Sequence, residues 1–264
     1  MLKSQEKKSF IRMTMCAGIA AAILFMPAIG SAGNDPWKSK PFQEWNDKDI
    51  SRVLSDSPWA QVVPVTSSWK ALPPDAEPSA DSQGKPMSKG GTGKSSEESA
   101  TRTPDSNYSA PGSDRPDTQF NVFWLSSKTV REALGRRAEL HSGKSAAEVE
   151  QYVNAPQEEY QILIQGQDMT PFRLNDDKFF AANSSLQVRK NGLKLPPSHV
   201  LIQKNPDGKS VAAAVFYFPK KTAQGEAVIS PDEKSVEFTC KMVGSTLKAT
   251  FDPQKMTGQS GADL

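Results

Sequence analysis

Between Pro73 and Thr118 the chain runs for 46 residues without a single Ile, Leu, Val, Phe or Trp. It is built mainly from Pro, Ser, Gly, Asp, Lys and Thr. Such a composition buries too little apolar surface to offset the entropy of ordering. Residues 73–118 therefore read as a disordered linker, and any compact structure must be assembled from the flanks. As a flexible coil, the segment would span roughly 35–40 Å r.m.s..

The amino terminus reads as a secretory signal peptide over residues 1–32. Lys3, Lys7, Lys8 and Arg12 form a basic stretch, and an uncharged apolar run follows from Met13 to Ile29. Gly30-Ser31-Ala32 then supplies small residues at −3 and −1 for signal peptidase. A lipidated Cys16 is excluded, because Met15 precedes it and most of the apolar run lies downstream. Cleavage leaves 28 Lys+Arg against 29 Asp+Glu, a net charge of −1. No basic field remains to recruit nucleic acid or anionic lipid, and no membrane span is expected after cleavage. Cys240 is the one cysteine left, so no intrachain disulfide can form, and strand alternation points it inward as a small hydrophobe.

Residues 33–72 form a short Trp-rich helical segment. Asn46 is placed to cap a helix with Asp47 and Asp49 in its first turn. Trp45, Ile50, Val53 and Leu54 share one face of it, and Ser57-Pro58 ends it. Gln61 to Thr66 is extended, with Pro64 confining it to an edge strand or loop.

Residues 119–256 hold nearly all the remaining aliphatic side chains and suffice for one domain. A strand over Phe120–Leu125 leads to a helix capped by Ser126 or Ser127 and closed by Gly143. Ser145 and Glu148 form a capping box for a second helix, stopped before Pro156. Tyr160–Gln165 is a strand. Val200–Gln203 and Val211–Phe218 flank an Asn-Pro-Asp-Gly turn as a hairpin. A second hairpin pairs Val236, Phe238, Cys240 and Met242 with Leu247, Ala249 and Phe251. The expected fold is α+β, a mainly antiparallel sheet with two helices, with a plain β-sandwich as the alternative. Residues 257–264 read as a flexible tail.

Few constellations suggest chemistry. Gly90-Gly91-Thr92-Gly93-Lys94-Ser95 lacks the first glycine of a phosphate loop, since that position is Ser88, and both flanks are linker. His141, His199 and Cys240 offer no paired metal ligands. Glu158-Glu159 and Asp176-Asp177 read as solvated turn charges. No serine stands in a G-x-S-x-G elbow. No catalytic residue, metal site or cofactor is expected.

Trp37, Trp45, Trp59 and Trp69 place four of five tryptophans within 33 residues. Three arrangements remain open. The segment docks onto the chain's own C-terminal domain, its rings anchor a partner such as an envelope protein or a glycan, or they contact a membrane surface. The four tryptophans are accordingly the candidate partner-binding residues.

Trp45 followed by Asp56-Ser57-Pro58-Trp59-Ala60 resembles the opening of uncharacterised bacterial exported proteins with a "W…DSPWA" segment. Their later β-rich domain is similar to Val236–Asp252. The resemblance implies export and brings no catalytic residues. The functional expectation is a non-enzymatic exported protein, periplasmic or secreted, that binds or scaffolds something in the cell envelope. An envelope hydrolase is the alternative.

Overall fold

The computed structural model describes residues 35–66, 117–206, 208–230 and 232–264. The expected leader 1–32, nearly all of the expected linker, and Trp69 lie outside the described residues.

The first described unit is a strap. Helix α1 (Pro36–Ser39), a 3₁₀ turn (Phe42–Glu44) and helix α2 (Asp47–Ser55) precede strand β1 (Ala60–Thr66). The start of α2 follows from its sequence. The Asn46 side chain accepts from the Lys48 and Asp49 amides, and Asp49 accepts from the Asn46 amide at 3.0 Å. That reciprocal pairing satisfies orphan donors of the first turn.

Strand β1 pairs antiparallel with β2 (Asp117–Trp124), from Ala60↔Phe123 to Thr66↔Asp117. The expected linker therefore ends earlier than its composition suggests, because Asp117 and Thr118 already belong to β2. Pro64 sits opposite Gln119 on this edge strand, where its missing N–H is tolerated.

Helices α3 (Lys128–His141) and α4 (Ala146–Val153) follow, then strand β3 (Glu159–Gly166). Ser127 caps α3 by accepting from Val130 N at 3.1 Å, and Ser145 with Glu148 closes the capping box of α4. The two helices cross closely at Gly135, where an added Cβ would lie 2.7 Å from Val149 Cγ1. Helices α5 (Thr170–Leu174) and α6 (Asp177–Asn183) come next. The remaining strands are β4 (Ser184–Val188), β5 (Lys194–Leu195), β6 (His199–Lys204), β7 (Val211–Pro219), β8 (Val236–Met242) and β9 (Ser245–Phe251). A small pair, β10 (Thr257–Gly258) and β11 (Gly261–Ala262), ends the chain.

The strands form a five-stranded sheet, β1-β2-β3-β7-β6, and a four-stranded sheet, β5-β4-β8-β9. Every strand pairing among the described residues is antiparallel, and the fold is α+β. The sheets face each other through aromatic rings. Phe238 meets Phe216 and Phe218 at centroid distances of 5.1 and 6.1 Å, and Trp124 meets Phe251 at 5.2 Å. Phe123, Leu163 and Val215, of opposite parity on the first sheet, are buried as well. At these positions its central strands are thus covered on both faces. Helices α5 and α6 were not expected. Asp176, read as a solvated turn charge, is the N-cap of α6 and accepts from Phe179 N at 2.8 Å.

Candidate functional site

The three described tryptophans of the strap lie in the core. Trp37, Trp45 and Trp59 are 4%, 1% and 0% exposed. Trp37 and Trp59 meet edge to face at 5.7 Å, and Trp45 Nε1 donates to the Lys40 carbonyl at 3.2 Å. Outside the strap, Arg136 Nε of α3 donates to the Trp45 carbonyl at 3.1 Å. Trp59 Nε1 donates to the Asp263 carbonyl at 2.7 Å. The reading of these rings as partner anchors is therefore corrected: they anchor the strap to its own body. The physical reason is that β1 extends the first sheet, so the rings beside it are sealed by the body's apolar surface.

The supposed tail is also part of the fold. Asp263 accepts from Lys128 N at 2.6 Å and Thr129 N at 2.9 Å, capping the start of α3. The Leu264 carbonyl accepts from Lys220 Nζ at 3.1 Å, and that ammonium sits 5.2 Å from the Tyr160 ring centre. Gln259 Nε2 donates to the Lys40 carbonyl of the strap at 2.8 Å. Close by, Arg131 Nη1 donates to the Val153 carbonyl and, at 2.9 Å, to that of Ala155, closing the end of α4. Burial lowers the pKa of Arg131 and of Lys220, and raises that of Glu132 to about 7. Each of these charged groups near Asp263 faces a structural partner or a helix end, which assigns the cluster to folding.

The surface that remains is a registered row across three strands of the first sheet. Gln161 of β3 pairs with Tyr217 of β7, and Tyr217 pairs with His199 of β6. Their side chains share the face turned away from the second sheet, and all three reach solvent. His199 stacks on Tyr217, centroids 4.0 Å apart and planes 12° from parallel. Glu159 and Ser198 flank the row. The Ser198 hydroxyl donates to Glu159, and it lies 3.3 Å from His199 Nδ1, which is itself 3.9 Å from Glu159 Oε2.

A serine, a histidine and a carboxylate invite comparison with a catalytic relay. In such a relay the serine and the acid occupy opposite ring nitrogens. Here both face Nδ1, and Glu159 and, at 3.1 Å, the Tyr217 carbonyl are further acceptors for the one serine proton. The arrangement turns Nδ1 toward Ser198 and Glu159 and leaves a flat aromatic pair bordered by a carboxylate and an amide. It suits recognition rather than nucleophilic attack.

Sequence reasoning left His199 isolated and Glu159 as a turn charge. Only the register of β3, β7 and β6 brings them together, and no local motif marks it. Cys240 is fully buried, and burial pushes its thiol up to about 12. The Gly90–Ser95 segment lies outside the described residues. Among the described residues no group of three or more His, Cys, Asp and Glu could hold a metal ion, and no helix is long and apolar enough to cross a membrane. Comparisons with family models, with curated proteins and with solved structures found no match.

Proposed function

We propose that the protein is exported and works in the cell envelope as a non-enzymatic binding or scaffolding protein. The leader over residues 1–32 supports export. The Gln161–Tyr217–His199 row carries the binding reading. It is an aromatic, hydrogen-bonding strip held on a rigid sheet, the kind of surface on which amphipathic rings contribute contact area at small entropic loss. Tyr217 and His199 take over the anchoring role first expected of the strap tryptophans.

Two measurements test this reading together. Cell fractionation with N-terminal sequencing should find a mature chain beginning at Gly33 outside the cytoplasm. A photo-crosslinking residue at position 199 should then capture a discrete envelope component that the same residue at Lys248, on the exposed face of β9, does not. Unprocessed chain retained inside the cell would refute export. Equal capture from both positions would refute the row as the binding face.

A further inference from the structure

We propose that the strap, residues 35–66, is a separable ligand of the body formed by residues 117–264, so that a chain cut between them keeps its strap as a second, non-covalent subunit and exchanges it with other copies. The inference is independent of export and of the aromatic row.

The strap carries its own organisation. Trp37 packs on Trp59, Trp45 bonds to Lys40, and Asn46 and Asp49 close a capping box, all within the strap. Lys40 and Asp49 add an ion pair at 2.6 Å, and the Ser57 hydroxyl donates to the Val53 carbonyl at 2.5 Å. A segment with this much internal order loses less freedom on docking than an unstructured peptide does.

Its contacts with the body are those of a recognition surface. Strand β1 adds to β2 over seven residue pairs, the mode by which extended peptides extend an open sheet edge. On its other side, the Gln61 amide acts as a surrogate peptide group for β9. Gln61 Nε2 donates to the Thr250 carbonyl at 2.5 Å, and Thr250 N donates to Gln61 Oε1 at 3.4 Å. The strap thus bridges the edges of both sheets. Trp59–Asp263, Arg136–Trp45, Gln259–Lys40 and the His141–Asp47 contact at 2.6 Å fasten it elsewhere.

Strap and body are joined by residues 67–116, yet Thr66 and Asp117 are cross-strand neighbours. A hairpin connection needs about two to five residues, so this length does nothing for register. The covalent connection makes docking of the strap intramolecular, which favours its own body while the chain is whole. Once the chain is cut, retention rests on the interface alone.

The test places a site-specific protease sequence after Gly93 in the chain freed of residues 1–32. After cleavage at micromolar concentration, strap and body should co-elute, and native mass spectrometry should show one complex with the mass of both pieces. Mixing cut labelled and unlabelled protein should produce hybrid complexes over hours. Trp59→Ala should leave the uncut chain folded by circular dichroism while weakening strap retention after cutting by at least about 100-fold. If that variant does not fold, Trp59→Phe, which drops the bond to Asp263, should weaken retention by about tenfold. Loss of the strap on cutting, precipitation of the cut body, or hybrids forming only on full unfolding would each overturn the proposal.

Discussion

The indole of Trp59 donates to the backbone carbonyl of Asp263 at 2.7 Å, joining two residues 204 positions apart. Around that bond the strap, the start of α3 and the last residues of the chain meet. Trp59 is fully buried. Replacing it with alanine removes a ring packed against Trp37 and leaves the Asp263 carbonyl without this donor. Equilibrium denaturation of Trp59→Ala should show a loss of about 3–5 kcal/mol. A loss below about 1 kcal/mol would mean that the strap contributes little to the fold.

Asp263 also closes the account of the α3 amides. Lys128 N and Thr129 N are taken by its carboxylate, Val130 N by the Ser127 hydroxyl, and Arg131 N by the Ser127 carbonyl. The three of these donors that a helix start leaves open, those of Lys128, Thr129 and Val130, are thus satisfied by two residues, Asp263 and Ser127, while the Arg131 bond begins the helix's own ladder. Asp263→Ala should destabilise by about 1–2 kcal/mol, combining a lost cap with a lost charge at the helix dipole. Thermal melting should read this as a fall of several degrees. Asp263→Asn, which keeps an acceptor, should fall by less.

Much of the architecture was legible in the sequence where local chemistry decides it. The caps of α2, α3 and α4, the edge position of Pro64 and the two hairpins each follow from signals within a few residues. Helices α5 and α6 were missed because they are only one to two turns long, too short for their apolar residues to show a helical period. The strap illustrates a different limit. Its tryptophans announced a need for burial, but the choice between body and partner lay in a pairing across the 67–116 insertion. The tail was misread for the same reason, since Asp263 has no meaning until α3 is folded beside it. The Gln161–Tyr217–His199 row is likewise a product of register, invisible to any window along the chain.

Cys240 offers a probe of cooperativity. It lies on β8 with no exposed surface, and burial pushes its thiol up to about 12, far from the thiolate that reacts. In native buffer a thiol reagent should modify it only at the rate of unfolding. Adding denaturant should raise that rate in step with the loss of tertiary signal. Fast modification of the native protein would show that the second sheet opens locally.

Glu132 sets the sign of the pH dependence. Burial raises its folded-state pKa to about 7, Asp263 pushes the same way, and Lys128 and Arg131 oppose them. In the unfolded chain the group returns to the ordinary carboxyl range. Between about pH 4.5 and 7 the folded state therefore binds the extra proton, and stability falls as pH rises through that window. With its side chain 19% exposed, the penalty at neutral pH is roughly 2–3 kcal/mol relative to pH 5. The opposite slope lies further down. Glu148, held by the Ser145 amide and by Lys144, and Asp232, held by Lys190 and Ser230, are both lowered to about 2, so their contributions are lost as acid increases below pH 4. The stability optimum should accordingly lie near pH 5. Glu132→Gln should raise stability at pH 7.5, change it little at pH 5, and flatten the profile between them. Denaturation of both proteins across pH 4.5–8 would measure this, and parallel profiles would show that Glu132 does not titrate in that range.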